Sequence, residues 1–193
     1  MDKNLKLNLV IEAQKRLIEK PRNWAHEITH HFRVLQLANR LVKKEKLNVN
    51  KDILEILCMW HDVAIKEDLS KRRDCETTAE YLAKSFKGEE KEIIYDSILN
   101  HEFGSTPKYI EGKVLQDADK LDILSLDRLN LDIEANEAGF SNAGISKKVV
   151  ESILNEWLPI MPERYHFNYS KKLHRQRLKI VLPEFKKYVA SSK

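Results

Sequence analysis

The stretch I-L-E-I-L-C-M-W-H-D, from Ile53 to Asp62, sets the first expectations for the fold. Its first eight residues are apolar almost all round, which is typical of a helix buried at the centre of a domain. Asp52 stands directly before the stretch, where a short acidic side chain can cap the helix. The helix then ends in His61 and Asp62, two side chains that can bind a metal. An isolated histidine here is more often a hydrogen-bonded core residue, so the pair indicates a site only if partners exist elsewhere in the chain.

The rest of the chain has the composition of a helical protein. Of its 193 residues, 42% are hydrophobic and 33% are charged, with only five Gly and five Pro. Such a chain is rich in helix formers and poor in turn residues, so we expect one all-α domain over residues 1–193. Apolar patterns and breaker residues predict helices over residues 1–20, 25–46, 53–60, 74–86, 89–100, 112–138, 149–158 and 170–190. Pro159 and Pro162 predict a break before the last of these helices.

Composition also sets expectations for compartment and partners. Cys58 and Cys75 are the only cysteines, and no charged start followed by an apolar core indicates a secretory signal. No run reaches the roughly 20 apolar residues that cross a bilayer, so we expect a soluble, cytoplasmic protein without a membrane partner. The net charge of +4 does not indicate a nucleic-acid partner, and the basic cluster at residues 171–179 is typical of a solvated helix face.

A second stretch, H-E-I-T-H at residues 26–30, matches the H-E-x-x-H pattern of zinc peptidases. In that pattern two histidines bind zinc and the glutamate, here Glu27, is the general base. The extended form of the motif requires Gly and His where this chain has Arg33 and Gln36, so that form is excluded. A later glutamate, Glu45 or Glu55, remains available by distance as the third ligand, and the peptidase interpretation stays open on this weak match.

Counting from His30 gives a different series. H-x-x-R-V at residues 30–34 is followed by the His-Asp pair and then by D-A-D-K-L-D at residues 117–122. The series resembles the HD superfamily of metal-dependent phosphohydrolases, and the resemblance covers about residues 26–124. It implies an HD-type metal-binding core at about residues 22–140 and a helical C-terminal extension at about residues 145–193, for which no motif is recognised.

The resemblance implies that one divalent metal is bound by His30, His61, Asp62 and Asp119. Asp119 is selected by its A-D-K-L context, whereas Asp117 and Asp122 are equally interpretable as solvated helix charges. Two imidazoles and two carboxylates suit Mn²⁺, Fe²⁺, Co²⁺, Ni²⁺ or Zn²⁺, with Mg²⁺ as a further candidate, and leave positions for water and a phosphate oxygen. Family members that bind two metals use additional histidines before the final Asp, and this interval holds only His101, so one metal is expected.

The implied activity is phosphate or pyrophosphate release from a small phosphorylated substrate, with nucleotides as the leading class by family analogy. Asp62 would orient the attacking water. Five further residues are candidates for substrate binding: His26, Arg33, Lys66, His101 and Lys120. For Arg33 a surface salt bridge competes with this role, and for the lysines solvent exposure does. A non-catalytic nucleotide-binding regulatory module is the remaining alternative, and the sequence leaves the oligomeric state open.

Overall fold

The computed structural model describes residues 2–19, 27–65, 74–102, 104–137 and 147–191. Within these ranges the secondary structure is helical, which confirms the all-α prediction. The helices are α1 (Lys3–Glu19), α2 (Ile28–Glu45), α3 (Lys51–Trp60), α4 (Asp74–Ala83), α5 (Gly88–Leu99), α6 (Ile110–Asp122), α7 (Leu126–Glu137), α8 (Lys147–Ser152), α9 (Leu158–Arg164) and α10 (Asn168–Ser191). None of the described helices is long and apolar enough to span a membrane.

Helix α3 lies at the centre of the domain, as its apolar sequence predicts. Seven of its ten residues are buried, and it packs against α1, α2, α5 and α6. The Trp60 indole donates a hydrogen bond to the Leu9 carbonyl of α1 at 2.9 Å. The predicted cap is wrong: the Asn50 side chain accepts from the backbone at the start of the helix, while Asp52 lies inside the first turn and pairs with Lys6 at 2.8 Å.

Helix α2 packs beside α3 and α6 and places an apolar face against the core. Val34, Ala38 and Leu41 are fully buried at spacings of three and four residues. The helix begins after Glu27, whose carboxylate accepts the backbone N–H groups of Thr29 and His30. Lys46, in a left-handed conformation with φ of 53°, ends it.

The predicted helix over residues 112–138 is two helices. Helix α6 ends at Asp122 and α7 begins at Leu126, with a short junction between them. The Ser125 hydroxyl accepts the Arg128 backbone N–H at 3.5 Å, as serine does near helix N-termini. The junction leaves Asp122 as the last residue of α6.

The predicted proline break is wrong in position, because Pro159 and Pro162 both lie within α9 and the chain leaves the helix at Tyr165. After α8 the chain forms a π-helical turn over Ile153–Trp157, and α9 begins directly with Leu158. Pro159 falls in the first turn of α9, directly after the π-helical turn, in which the Leu158 backbone N–H donates to the Ile153 carbonyl oxygen. Helix α10 then packs against α2, α6 and α8, so the C-terminal region completes the same domain.

Candidate metal centre

Three helices bring the four predicted ligands to one point. His30 comes from the first turn of α2, His61 and Asp62 directly follow α3, and Asp119 comes from the last turn of α6. One donor atom from each residue lies within 4.8 Å of all the others, which is a spacing that one metal ion can bridge. Asp119 is 23% exposed while the other three are buried, so solvent reaches the cluster on the Asp119 side.

Hydrogen bonds fix the ring orientations of both histidines. His30 Nδ1 lies 2.8 Å from Asp122 Oδ2, and His61 Nδ1 lies 3.0 Å from the Cys58 carbonyl oxygen. Because an ionised carboxylate and a carbonyl only accept hydrogen bonds, each Nδ1 carries the proton. In the neutral rings both Nε2 atoms therefore present lone pairs, and these atoms lie 3.1 Å apart.

Two facing lone pairs repel each other unless a proton or a metal ion lies between the two nitrogens. The adjacent carboxylates complete the donor set, with Asp119 Oδ1 3.4 Å from His30 Nε2 and Asp62 Oδ2 3.3 Å from His61 Nε2. Burial disfavours a charged His30, yet its hydrogen bonds to Asp119 and Asp122 raise its pKa, which shows that the cluster attracts positive charge. The residues thus fit a divalent metal bound through nitrogen and oxygen.

A family model agrees with this geometry. The HD domain model matches residues 28–124, which include all four clustered residues. The chain belongs to the HD domain family.

Solved structures share the fold across nearly the whole chain. A protein from Lactobacillus plantarum is 16% identical with a TM-score of 0.72, covering 98% of this chain and 97% of its own. A predicted HD superfamily hydrolase from an uncultured Thermotogales bacterium is 23% identical with a TM-score of 0.64, covering 99% and 93%. Bacillus subtilis YpgQ in complex with ADP is 20% identical with a TM-score of 0.63, covering 95% of each chain. No curated protein sequence matches the chain.

Asp122 contacts His30 on the side of the ring away from the four clustered donor atoms. It is 1% exposed, so its interpretation as a solvated charge is wrong. Arg33 donates to both of its oxygens, at 2.9 and 3.1 Å, and Arg128 lies 3.7 Å away. Burial opposes its ionisation, but these cations and His30 hold its pKa well below the usual range. A carboxylate that orients a ligand histidine is a recurring feature of metal sites.

Asp117 is also buried, with no measurable exposure, and is not a solvated charge. It accepts the backbone N–H groups of His166 and Phe167, which lead into α10. Its position on α6 directs it away from the metal cluster, because residues two apart on a helix face different sides. The choice of Asp119 from its A-D-K-L context agrees with the observed cluster.

The five candidate substrate-binding residues differ in position, and two of them lie outside the described residues. The Arg33 guanidinium is engaged by Asp122 and by the Thr29 hydroxyl at 2.9 Å, which favours the salt-bridge alternative. Lys120 is 3% exposed, and burial lowers its pKa although Asp117 and Asp119 favour its charge. The lysine is therefore not solvent-facing. His26 and Lys66 lie outside the described residues.

His101 contacts the cluster through Asp62. Its Nδ1 lies 2.6 Å from the Ile98 carbonyl oxygen, and its Nε2 lies 3.5 Å from Asp62 Oδ1. Burial opposes a charged ring, but the hydrogen bond to Asp62 and the charges of Asp62 and Asp119 raise the pKa of His101 to about 9. These contacts favour a role in orienting Asp62.

Two further groups were not selected from the sequence. His31 is fully buried with its ring centroid 4.5 Å from that of His61, and its Nδ1 shares the Cys58 carbonyl oxygen. Gln116 donates to three carbonyls of the segment after α5, those of Asn100, Glu102 and Ser105. The position of His31, directly after the predicted ligand His30, is a sequence signal that could have found it. No local sequence pattern indicates the contacts of Gln116.

Proposed function

We propose that this HD domain protein is a metal-dependent phosphohydrolase that acts on a nucleotide or a related small phosphate ester. The observation that carries the proposal is the convergence of the two Nε2 lone pairs, at 3.1 Å, with the carboxylates of Asp62 and Asp119. Four protein donors leave coordination positions for water and a phosphate oxygen on a metal that prefers six ligands.

A divalent metal bound there would act as a Lewis acid towards phosphate and lower the pKa of water. The chain's own residues supply orientation. Asp62 presents Oδ2 to the cluster and Oδ1 to His101, so one carboxylate joins the metal site to a hydrogen-bonding imidazole. In the proposed reaction Asp62 orients the attacking water, and His101 holds Asp62 in that orientation.

The nucleotide class is supported by similarity to YpgQ, whose solved structure contains ADP. At 20% identity this likeness shows the fold alone. Lys120, whose charge interacts with that of Asp119, is proposed as a cation that offsets phosphate charge beside the cluster.

The peptidase alternative is disfavoured by the position of Glu27. Its carboxylate accepts the Thr29 and His30 backbone N–H groups at 2.6 and 3.0 Å, so both oxygens serve the start of α2. In the peptidase motif the glutamate lies within the helix and activates zinc-bound water. Glu27 precedes the helix that it caps.

The test is a hydrolysis screen of nucleotides and small phosphate esters with Mn²⁺, Co²⁺, Ni²⁺, Zn²⁺ and Mg²⁺. Because Asp62 lies in the cluster and Glu27 caps a helix, we expect Asp62→Asn to reduce kcat/KM by about 100-fold or more, while Glu27→Gln retains most activity.

Two outcomes would contradict the proposal. Nucleotide binding by calorimetry without turnover under any metal would favour a regulatory module. Peptide cleavage that is abolished by Glu27→Gln and unaffected by Asp62→Asn would establish the peptidase instead.

A further inference from the structure

A small cavity lies behind Asp122, on the side away from the four candidate metal ligands. It has a volume of about 260 Å³ and lies between α2, the α6–α7 junction and α10. Its polar lining comes from Arg33, Gln36, Arg40, Asp122, Ser125, Asp127 and Arg177. The His30 ring and the Asp122 carboxylate separate the cavity from the two facing Nε2 atoms.

Two of the three arginines are held by uncharged groups. The Arg177 guanidinium donates from Nη1 to the Leu121 carbonyl oxygen at 2.8 Å. The Arg40 guanidinium lies over the Tyr169 ring, 5.6 Å from its centroid. Among the described residues, neither arginine has a carboxylate within ion-pair distance. A guanidinium has five N–H donors, so both retain donors for a ligand in the cavity.

The charge balance of the cavity favours an anion. The double hydrogen bond from Arg33 offsets the charge of Asp122, and Arg128 adds a further positive charge 3.7 Å from it. Asp127, which is exposed, is the second acid among the lining residues, against the three arginines Arg33, Arg40 and Arg177. Burial lowers the pKa of Arg177, the charge of Asp122 opposes this decrease, and repulsion from Arg40 adds to it. An anion bound between the two arginines would relieve this repulsion.

The size of the cavity restricts the ligand. A volume of about 260 Å³ is below the roughly 300 to 1,000 Å³ of sites that enclose drug-sized molecules. Planar guanidinium groups match the oxygens of a phosphate through paired hydrogen bonds. We infer that Arg40 and Arg177, with the Ser125 hydroxyl, form a second oxyanion site that binds a phosphate group behind the metal cluster.

A chain of side-chain contacts connects the proposed phosphate site to the candidate metal ligands. Arg33 lines the cavity and donates to Asp122, and Asp122 in turn holds His30 Nδ1. A phosphate that attracts Arg33 competes with Asp122 for the same N–H groups. Binding in the cavity therefore acts on the orientation of a predicted metal ligand without occupying the metal site.

The test measures inorganic phosphate binding to the full-length protein by calorimetry, metal-loaded and after chelation. The cavity contains no predicted metal ligand, so phosphate binding should persist after chelation and weaken as ionic strength rises. Since charge-assisted hydrogen bonds are lost, we expect Arg40→Gln and Arg177→Gln each to weaken it by about 10-fold or more. Arg175→Gln, an exposed change on the same helix, is the matched control and should leave binding unchanged.

The exposed position of Arg40 keeps the test valid if Arg177→Gln impairs folding. Competition with ADP distinguishes the source of the phosphate group: displacement assigns the site to a nucleotide phosphate, and no displacement assigns it to free phosphate. Absence of phosphate binding after chelation, or equal affinity in Arg40→Gln and Arg175→Gln, would overturn the inference.

Discussion

At the scale of single residues, both nitrogens of His30 have assigned partners. Nε2 faces the metal cluster, and Nδ1 contacts Asp122 at 2.8 Å. Asp122 is fixed in turn by the double hydrogen bond from Arg33. The ring therefore cannot change tautomer or rotate without breaking a buried charge-assisted contact, and this rigidity prepares Nε2 for a metal.

We predict that Asp122→Asn weakens metal binding by about 10- to 100-fold, the usual effect of losing a group that orients a ligand. An amide can offer its N–H₂ group to Nδ1, which would favour the wrong tautomer and place the proton on Nε2. Titration of the purified variant with Mn²⁺ and Zn²⁺ measures the effect. Asp127→Asn, an exposed acid on the next helix, is the control. Equal metal affinity in the two variants would show that Asp122 does not orient His30.

At the scale of secondary-structure elements, Asp117 joins the last helix to the HD core. Its carboxylate accepts the His166 and Phe167 backbone N–H groups at 3.0 and 3.1 Å. His166 Nε2 lies 2.7 Å from Gln116 Oε1, so adjacent residues of α6 hold the same segment. Arg177 of α10 is positioned by this docking, since it reaches the end of α6 at Leu121.

We predict that Asp117→Ala lowers the free energy of unfolding by about 2 to 4 kcal/mol, because it leaves backbone N–H groups without a charged acceptor. Urea denaturation followed by circular dichroism measures the change. Glu163→Ala removes an exposed carboxylate from α9 and should have an effect within about 0.5 kcal/mol. A similar small loss for Asp117→Ala would mean that the segment before α10 is held by its other contacts.

At the scale of the whole molecule, the candidate metal site joins residues that are up to 89 positions apart, from His30 to Asp119. Each ligand comes from a different part of the helical bundle except the adjacent pair His61 and Asp62. A metal that binds only this assembled cluster stabilises the fold by mass action. Without the metal, only a proton on one Nε2 atom can offset the repulsion between the two buried nitrogens.

We predict that a chelator lowers Tm by roughly 5 to 10 °C relative to protein with metal at about 100 times Kd, which corresponds to about 2.7 kcal/mol. Differential scanning calorimetry with and without chelator measures the shift. His61→Ala should lose most of this metal-dependent shift. A full metal-dependent shift in His61→Ala would place the stabilising metal elsewhere in the protein.

The sequence by itself determined the helical class and the identity of the clustered residues. Composition and apolar spacing predict helices because the burial of one helical face depends on local periodicity. The central buried helix can be recognised from the eight residues before His61 alone, since they are apolar almost all round. The ordered contexts of His30, His61 and Asp119 carry the family resemblance, and the match over residues 28–124 confirms it. The roles of these residues as metal ligands stay a prediction.

Only the tertiary structure decided which neighbouring charges serve the cluster. Asp117, Asp119 and Asp122 share one short segment, yet one holds the approach to α10, one enters the cluster and one orients His30. Helical rotation separates their directions, but their partners come from α2 and the C-terminal region, which local sequence does not specify. The cavity at Arg40 and Arg177 has the same origin, because these two residues are 137 positions apart and packing brings their guanidinium groups to one side of Asp122.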